Sequence, residues 1–546
     1  MVLRFRLLIA GIVLGYAVLL FHLYDLQVIK GNYYLARAYS EIAPSGAGID
    51  RGLIYFRDKN GNLLPAATNK DFPIIYAVPK AIVDIPEAAN ALAPILGKSV
   101  AELESIFGKT SSSYQVIQKK ADPDMASQIE AIKMAGVYVD EEEGRLYPLG
   151  SVGAQMLGFV GPSAESPIDA GKYGIEKFYN ASLSGKSDSG GGSKVGSVVP
   201  GTDVNLAIDP NIEIEAEKIL ENLVTTYHAK QGSVIVEDPK TGKILTMGSY
   251  PNFDPNNYSA SPISSFLNPA VEAVYEPGSV FKVITMATGI DSGKITPDTT
   301  YVDAGTVTLN GRTISNYDLK THGPYGKATM TNVIEHSINT GAVFAERAIG
   351  RDIFTKYLTT FGFSEKTGVD LPGELAGNLK RLSPKEKDIA FATASYGQGV
   401  AVTPIELITA IGAIANNGVM MRPYVNEDQG PKVIRRVVSA ETAAEVTQMM
   451  VSAVDKALVT KIKGYTVAGK TGTAFVPDFV HGGYTDNVIN TYVGFAPASD
   501  PKFIALIKID EPQNAPLAGT SVVPAFRDLA QFILNYENIP PDRVND

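Results

Sequence analysis

The sequence predicts an α+β protein in three parts: a short apolar helix, a mixed α/β pedestal, and a larger domain in which helices pack on an antiparallel sheet. Three observations predict it. Residues 7–24 are apolar nearly throughout, with His22 the one strongly polar side chain. A Gly- and Ser-rich stretch over 182–201 divides the remainder into two textures. Beyond it, strand-like runs stand at both ends of a mostly helical stretch, 331–417, an order that suits a sheet whose first and last strands meet.

Composition narrows the function before any motif is read. The 546 residues exceed one ordinary domain. Lys and Arg total 48 against 58 Asp and Glu, a net charge of −10, which argues against a bulk nucleic-acid binder. Without Cys there is neither a disulfide nor a thiolate metal site. The five His are scattered without ligand spacing, so no metal and no cofactor is expected.

Residues 7–25 have the length of one membrane-spanning helix. Arg4 and Arg6 precede it, so residues 1–6 are expected in the cytoplasm and everything after the span outside. A cleaved signal peptide is the competing reading. Its candidate cleavage tripeptide, Ala36-Arg37-Ala38, lies too far beyond the apolar run and carries an Arg.

The pedestal is assigned to 40–200. There Asp58-Lys59-Asn60-Gly61 is a hairpin signal between Leu53-Ile54-Tyr55-Phe56 and Leu63-Leu64. Residues 85–107 have helical spacing broken at Gly97, and the run Asp140-Glu141-Glu142-Glu143 reads as a solvated loop. The large domain is assigned to 203–546. It opens with a strand over 204–209, an amphipathic helix over 212–224, and a hairpin pairing 233–237 with 244–247 across Asp238-Pro239-Lys240-Thr241-Gly242. It ends in strands over 465–474, 491–495 and 504–508.

Between them lies Pro277-Gly278-Ser279-Val280-Phe281-Lys282, continuing as Val283-Ile284-Thr285-Met286-Ala287. Pro277 suits a first helical turn, and the run after it is apolar nearly all round, as in a buried helix. A buried helix has little reason to carry a Lys. Lys282 follows Ser279 by three residues, so the two project from one face. Burial lowers an ammonium pKa, which makes Lys282 a base for activating the Ser279 hydroxyl, and a helix N-terminus favours a developing oxyanion. Alone, the pattern is also met by a surface Ser beside a snorkelling Lys.

Two further patterns decide it. Ser337-Ile338-Asn339 is a small polar triplet that by itself reads as a helix cap or loop. Lys-Thr-Gly occurs at Lys240, Lys366 and Lys470. The first two sit in ordinary turns. Lys470-Thr471-Gly472 instead follows an apolar strand-like run and has small neighbours that let another backbone lie close. The stretch Gly464 to Thr471 also matches the phosphate-binding loop letter for letter. That motif needs a long helix directly after it, and Gly472, Pro477 and Gly482-Gly483 leave no room for one.

Ser-x-x-Lys, Ser-x-Asn and Lys-Thr-Gly in this order form the motif set of β-lactamases and penicillin-binding proteins. The chain resembles a class B penicillin-binding protein, a monofunctional peptidoglycan D,D-transpeptidase. The resemblance runs nearly end to end. It includes Leu26-Gln27-Val28, Arg51-Gly52, Arg145-Leu146-Tyr147-Pro148, Gly174-Ile175-Glu176-Lys177, Tyr396-Gly397-Gln398-Gly399 and Gly519-Thr520-Ser521.

The resemblance implies a transpeptidase domain with a five-stranded antiparallel sheet and helices on both sides, above a dimerisation-like pedestal and one transmembrane helix. It implies Ser279 as the acylated nucleophile, Lys282 as its general base, Ser337 as the proton shuttle and Lys470 as its electrostatic support. Asn339 would hold the substrate's amide. Thr471, Gly472 and Thr473 would bind the peptide and its terminal carboxylate, with the N–H groups of Ser279 and Thr473 forming the oxyanion hole. The substrate would be the D-Ala-D-Ala stem peptide, with β-lactams as inhibitors, a polytopic glycosyltransferase of the shape-elongation-division-sporulation kind as partner, and the cytoplasmic membrane as location.

Two positions depart from the family pattern: Gln155 replaces a His found in many relatives, and Glu213 replaces a Gln. Glu276-Pro277 and Asn339 resemble the division type more than the elongation type. Three other readings stay open: an elongation-type transpeptidase, a hydrolase or sensor of the β-lactamase kind, and a catalytically silent division scaffold.

Overall fold

The computed structural model describes residues 2–24, 51–163, 169–187, 198–457, 460–478, 480–515 and 517–543. Residues 26–28, the Ala36-Arg37-Ala38 tripeptide, residues 40–50 of the pedestal and most of the Gly/Ser-rich stretch lie outside the described residues.

The first helix, α1, is Val2–Tyr24. Among the described residues no helix is long and apolar enough to cross a membrane, which departs from the span expected over 7–25. The side chains of α1 are described from residue 13 to 24. Val13, Leu14, Val18, Leu19, Leu20 and Phe21 are all exposed.

In the pedestal, β1 (Ile54–Arg57) and β2 (Leu63–Ala77) form the expected hairpin, with Arg57 opposite Leu63. Helices α2 (Ile85–Leu96) and α3 (Val100–Phe107) divide at Gly97, whose φ of 63° stops the first of them. They pack with α4 (Pro123–Ile132) through Leu92, Leu103, Phe107 and Ile129 on a sheet of β2, β3 (Gln115–Gln118) and β4 (Val137–Leu146).

The acidic run 140–143 is not a loop. It lies inside β4, antiparallel to β2 from Val137↔Ala77 to Leu146↔Thr68. Lys119 pairs with Glu142 at 3.1 Å, and half of the run's side chains face solvent, as a half-exposed strand permits.

Three segments distant in sequence meet in one buried ion network. Glu176, fully buried, accepts from Arg145 Nε on Oε1 at 2.7 Å and from Arg51 Nε on Oε2 at 2.8 Å. Arg145 also donates to Asn69 Oδ1, and Arg51 to Asn180 and Ser184. Both guanidiniums carry further hydrogen bonds, as a buried charge requires.

The strand expected over 204–209 is shorter and belongs elsewhere. β5 (Val204–Asn205) pairs parallel with β1, inside the pedestal sheet. Asp209 then caps α5 (Pro210–Thr226), its carboxylate accepting from Asn211 N and Ile212 N. The first strand of the large sheet is therefore β6 (Gln231–Asp238), paired with β7 (Lys243–Tyr250).

Next come α6 (Lys282–Asp291), the hairpin β8 (Thr306–Leu309) and β9 (Arg312–Ser315), α7 (Asn339–Ile349), α8 (Pro404–Ala415) and α9 (Ala440–Ala457). Strands β10 (Ala468–Pro477), β11 (Tyr484–Ala496) and β12 (Phe503–Asp510), then α10 (Val522–Tyr536), complete the domain.

The sheet order is β7-β6-β12-β11-β10, antiparallel throughout. First and last strands meet as β6 and β12, as the sequence order predicts. Alternation divides the faces: Val234, Val236, Ile507 and Ile509 pack on α5 and α10, while Ile235, Leu506 and Val493 pack on α8 and the helices around it.

Candidate active site

Ser279 sits in a single 3-10 turn, Gly278–Phe281, that runs directly into α6. The turn is pressed against β10. A Cβ on Gly472 would lie 2.6 Å from Pro277 O and 2.8 Å from Val280 Cγ2, and one on Gly278, at φ 57°, would lie 2.8 Å from Thr473 O. Both positions need glycine because two backbones touch there. Gly397 closes the other side, donated to at its carbonyl by Gly278 N at 3.2 Å. The small residues around Lys470 thus allow the close backbone approach their sequence suggests.

Lys282 and Lys470 are fully or nearly fully buried. Lys282 Nζ donates to Asn339 Oδ1 at 2.8 Å, to Ser337 Oγ at 3.2 Å and to the Ser337 carbonyl. Lys470 Nζ donates to the same Ser337 Oγ at 2.9 Å and to Thr471 O and Oγ1. Five predicted residues from three separate segments therefore form one network. Ser279 Oγ takes no part in it: it makes no hydrogen bond among the described residues and lines the cleft instead.

Ser337 has a φ of 56°, a left-handed conformation uncommon for Ser. It lies between the helix Met330–Glu335 and α7, and this backbone turn brings both its carbonyl and its hydroxyl onto Lys282.

Burial pushes the Lys282 ammonium well below its usual pKa, and the charge of Lys470 pushes the same way while Asp318 opposes. Burial brings Lys470 down to about 7. Two ammonium groups donating to one hydroxyl do not both stay charged at low cost.

Thr473 Oγ1 lies 3.1 Å from Asn490 Oδ1 and accepts from Ala518 N at 3.1 Å. Asn490, fully buried, donates to Ala515 O and Ser521 Oγ. Sequence reasoning missed Asn490. Its signal is a single amide side chain, beside Thr491, in the mostly apolar run 488–496.

The cleft measures about 720 Å³, within the range of small-ligand sites. Ser279, Ser337, Asn339, Thr471 and Thr473 line it together with residues 312–318. That last wall is set by Asp303. This buried carboxylate accepts from Asn316 Nδ2, Thr340 Oγ1, Gly305 N and Tyr325 N. These donors hold its pKa below the ordinary carboxylate value against the opposing effect of burial.

Residues 232–531 match the penicillin binding protein transpeptidase domain, and residues 48–194 match the penicillin-binding protein dimerisation domain. Stage V sporulation protein D of Bacillus subtilis is 31% identical over 520 residues, 89% of this chain and 78% of that protein. Peptidoglycan D,D-transpeptidase FtsI of Escherichia coli is 28% identical over 567 residues, 99% and 93% of the two chains. Among solved structures, penicillin binding protein 3 of Mycobacterium tuberculosis complexed with aztreonam superposes with a TM-score of 0.70 at 25% identity, covering 90% of this chain and 97% of that one.

Proposed function

This chain belongs to the class B penicillin-binding proteins and is a serine D,D-transpeptidase of peptidoglycan; from that premise we propose that Ser279 is the acylated nucleophile and that the protein cross-links stem peptides in septal wall synthesis. The observation that carries the reading is the chain Lys282–Ser337–Lys470 at the floor of the cleft that Ser279 lines.

In this reading Lys282, neutral because it is buried, takes the proton of Ser279 as the oxygen attacks the penultimate D-Ala carbonyl. The N–H groups of Ser279 and Thr473 receive the oxyanion, and Asn490 steadies Thr473. Ser337, between the two lysines, carries a proton to the leaving D-Ala. Asn339 and Thr471 hold the peptide amide and terminal carboxylate. A neighbouring stem amine then resolves the ester.

Glu276-Pro277 and Asn339 support the division type. The pedestal would occupy 40–200 together with the strand 204–205, and the catalytic domain the residues after it to 546. Helix α1, apolar and exposed over residues 13–21, supports anchorage in the cytoplasmic membrane with residues 1–6 inside. A polytopic glycosyltransferase beside that anchor would supply the glycan.

The test is fluorescent penicillin labelling of the protein beside Ser279→Ala. Labelling that disappears with the hydroxyl is expected. Equal labelling of both forms would sink Ser279, and rapid nitrocefin turnover would convert the reading to a hydrolase.

A further inference from the structure

We propose that Asp318 forms the subsite for the ammonium group of the acceptor stem peptide, a proposal that rests on the transpeptidase reading above. Among the side chains lining the cleft it is the one carboxylate, set against Arg312 on the same wall and Lys282 and Lys470 at the floor. The Arg312 guanidinium, and Lys470 when charged, suit the donor's terminal carboxylate and repel an approaching ammonium. An alkyl amine is protonated at neutral pH, so the second substrate needs an anion on its path.

Asp318 is held for such a contact by one side-chain hydrogen bond. It begins the short helix Leu319–His322, yet its side chain makes no capping hydrogen bond. Oδ2 accepts from Tyr325 OH at 2.5 Å, and Oδ1 accepts none among the described residues. The Tyr325 ring is stacked between His322, at 4.1 Å, and His336, at 4.9 Å. Its backbone N–H is fixed on Asp303 at 2.8 Å. Because His336 precedes Ser337, this stack ties the carboxylate to the proton-shuttling hydroxyl. Tyr325 is a positioning residue.

The step balances as the acyl ester of Ser279 plus R–NH3+ giving acyl–NH–R, Ser279–OH and one H+. A C–N bond forms and the C–O ester bond breaks. The Ser279 oxygen takes one of the two protons lost by nitrogen, and the other leaves to solvent.

The experiment uses the full chain with a thioester analogue of acyl-D-alanyl-D-alanine. Either glycinamide or its hydroxyl isostere glycolamide serves as acceptor, and the ratio of transfer to hydrolysis is read. That ratio belongs to acyl-enzyme already formed, so slower acylation does not move it. Asp318→Asn should lower the glycinamide ratio about tenfold or more, change the glycolamide ratio little, and be largely rescued in Asp318→Glu.

An unchanged glycinamide ratio, or an equal fall for both acceptors, overturns the proposal. If the wild type forms no acyl-enzyme at all, the transpeptidase reading fails and the proposal with it. Should Asp318→Asn not reach the acyl-enzyme, Tyr325→Phe frees the carboxylate without removing it. A selective fall for glycinamide there supports the assignment, and no fall overturns it.

Discussion

Lys470 Nζ and Ser337 Oγ stand 2.9 Å apart although 133 residues separate them in the chain. The same oxygen receives Lys282 from the other side at 3.2 Å. One hydroxyl thus couples two buried ammonium groups, and each lysine's ionisation depends on the other's.

The sign of that coupling gives the first prediction. Lys470 lowers the pKa of Lys282, so removing its charge raises the pKa of Lys282. In Lys470→Met the pH profile of penicillin acylation moves to higher pH, because a general base acts only when neutral. The rate at pH 7 falls on the order of 10²-fold, as for loss of a proton-transfer partner. Stopped-flow acylation across pH 5.5 to 10 checks this. A profile that stays in place, or moves to lower pH, removes the lysine pair from the mechanism.

Gly472 gives the second. A Cβ there would meet Pro277 O at 2.6 Å, and that carbonyl belongs to backbone that cannot swing away as a side chain does. Gly472→Ala therefore moves β10 off the nucleophile turn. Acylation falls on the order of 10²-fold, the usual effect of misplacing a reacting group by about 1 Å. The fold persists, since the strand remains paired with β11 along its length. Circular dichroism beside acylation kinetics separates the two effects. Wild-type kinetics in this variant would mean that the turn and strand adjust freely.

The third concerns the pedestal. Arg145→Ala leaves Oε1 of the buried Glu176 without its guanidinium, while Arg51 stays on Oε2. Breaking a buried pair costs about 3–5 kcal/mol. The remaining Arg places this case near 3. Lys98→Ala removes the half-buried partner of the exposed Glu102 and should change stability by less than ~1 kcal/mol. Denaturant titration of both variants checks the contrast. Equal effects would mean that water reaches Glu176.

Much of this site is legible in sequence because its chemistry is local. Ser279 and Lys282 lie one turn apart, and Lys470-Thr471-Gly472 stands on a strand with small neighbours. What sequence cannot give is the meeting of distant elements. Nothing near Ser337 says that its carbonyl turns at φ 56° onto Lys282. Nothing near residue 204 says that this strand leaves the large domain to pair with β1. The acidic run 140–143 was opaque because charge density masks the two-residue period of a half-exposed strand. The apolar signal lies on the partner strand instead, where Ile74, Pro73 and Phe72 stand opposite Asp140, Glu141 and Glu142. The helical periods of α9 and α10 are hard to read in sequence because each stands beside the strand-like runs of the C-terminal end.

The last prediction concerns a departure that the sequence made visible and the structure explains. Glu213 replaces the Gln of many relatives and is fully buried on α5, accepting from Met247 N at 2.9 Å. One turn later Glu217 accepts from Gly153 N of the pedestal at 3.0 Å. Burial raises Glu213 to about 7 and holds Glu217 well above its usual value, with the Glu213 charge adding to the latter. Both carboxyls therefore bind protons more tightly folded than unfolded. The stability Glu213 contributes is complete below about pH 4.5 and is lost as pH rises through about 7, and Glu217 acts in the same direction. For Glu213 that loss is on the order of 3 kcal/mol. Glu213→Gln keeps the shape and cannot ionise. Its melting temperature should match the wild type near pH 5 and exceed it near pH 8. A wild type whose stability instead rises between pH 5 and 8 relative to the variant would mean that Glu213 is charged in the folded state and has found a partner the buried site does not offer.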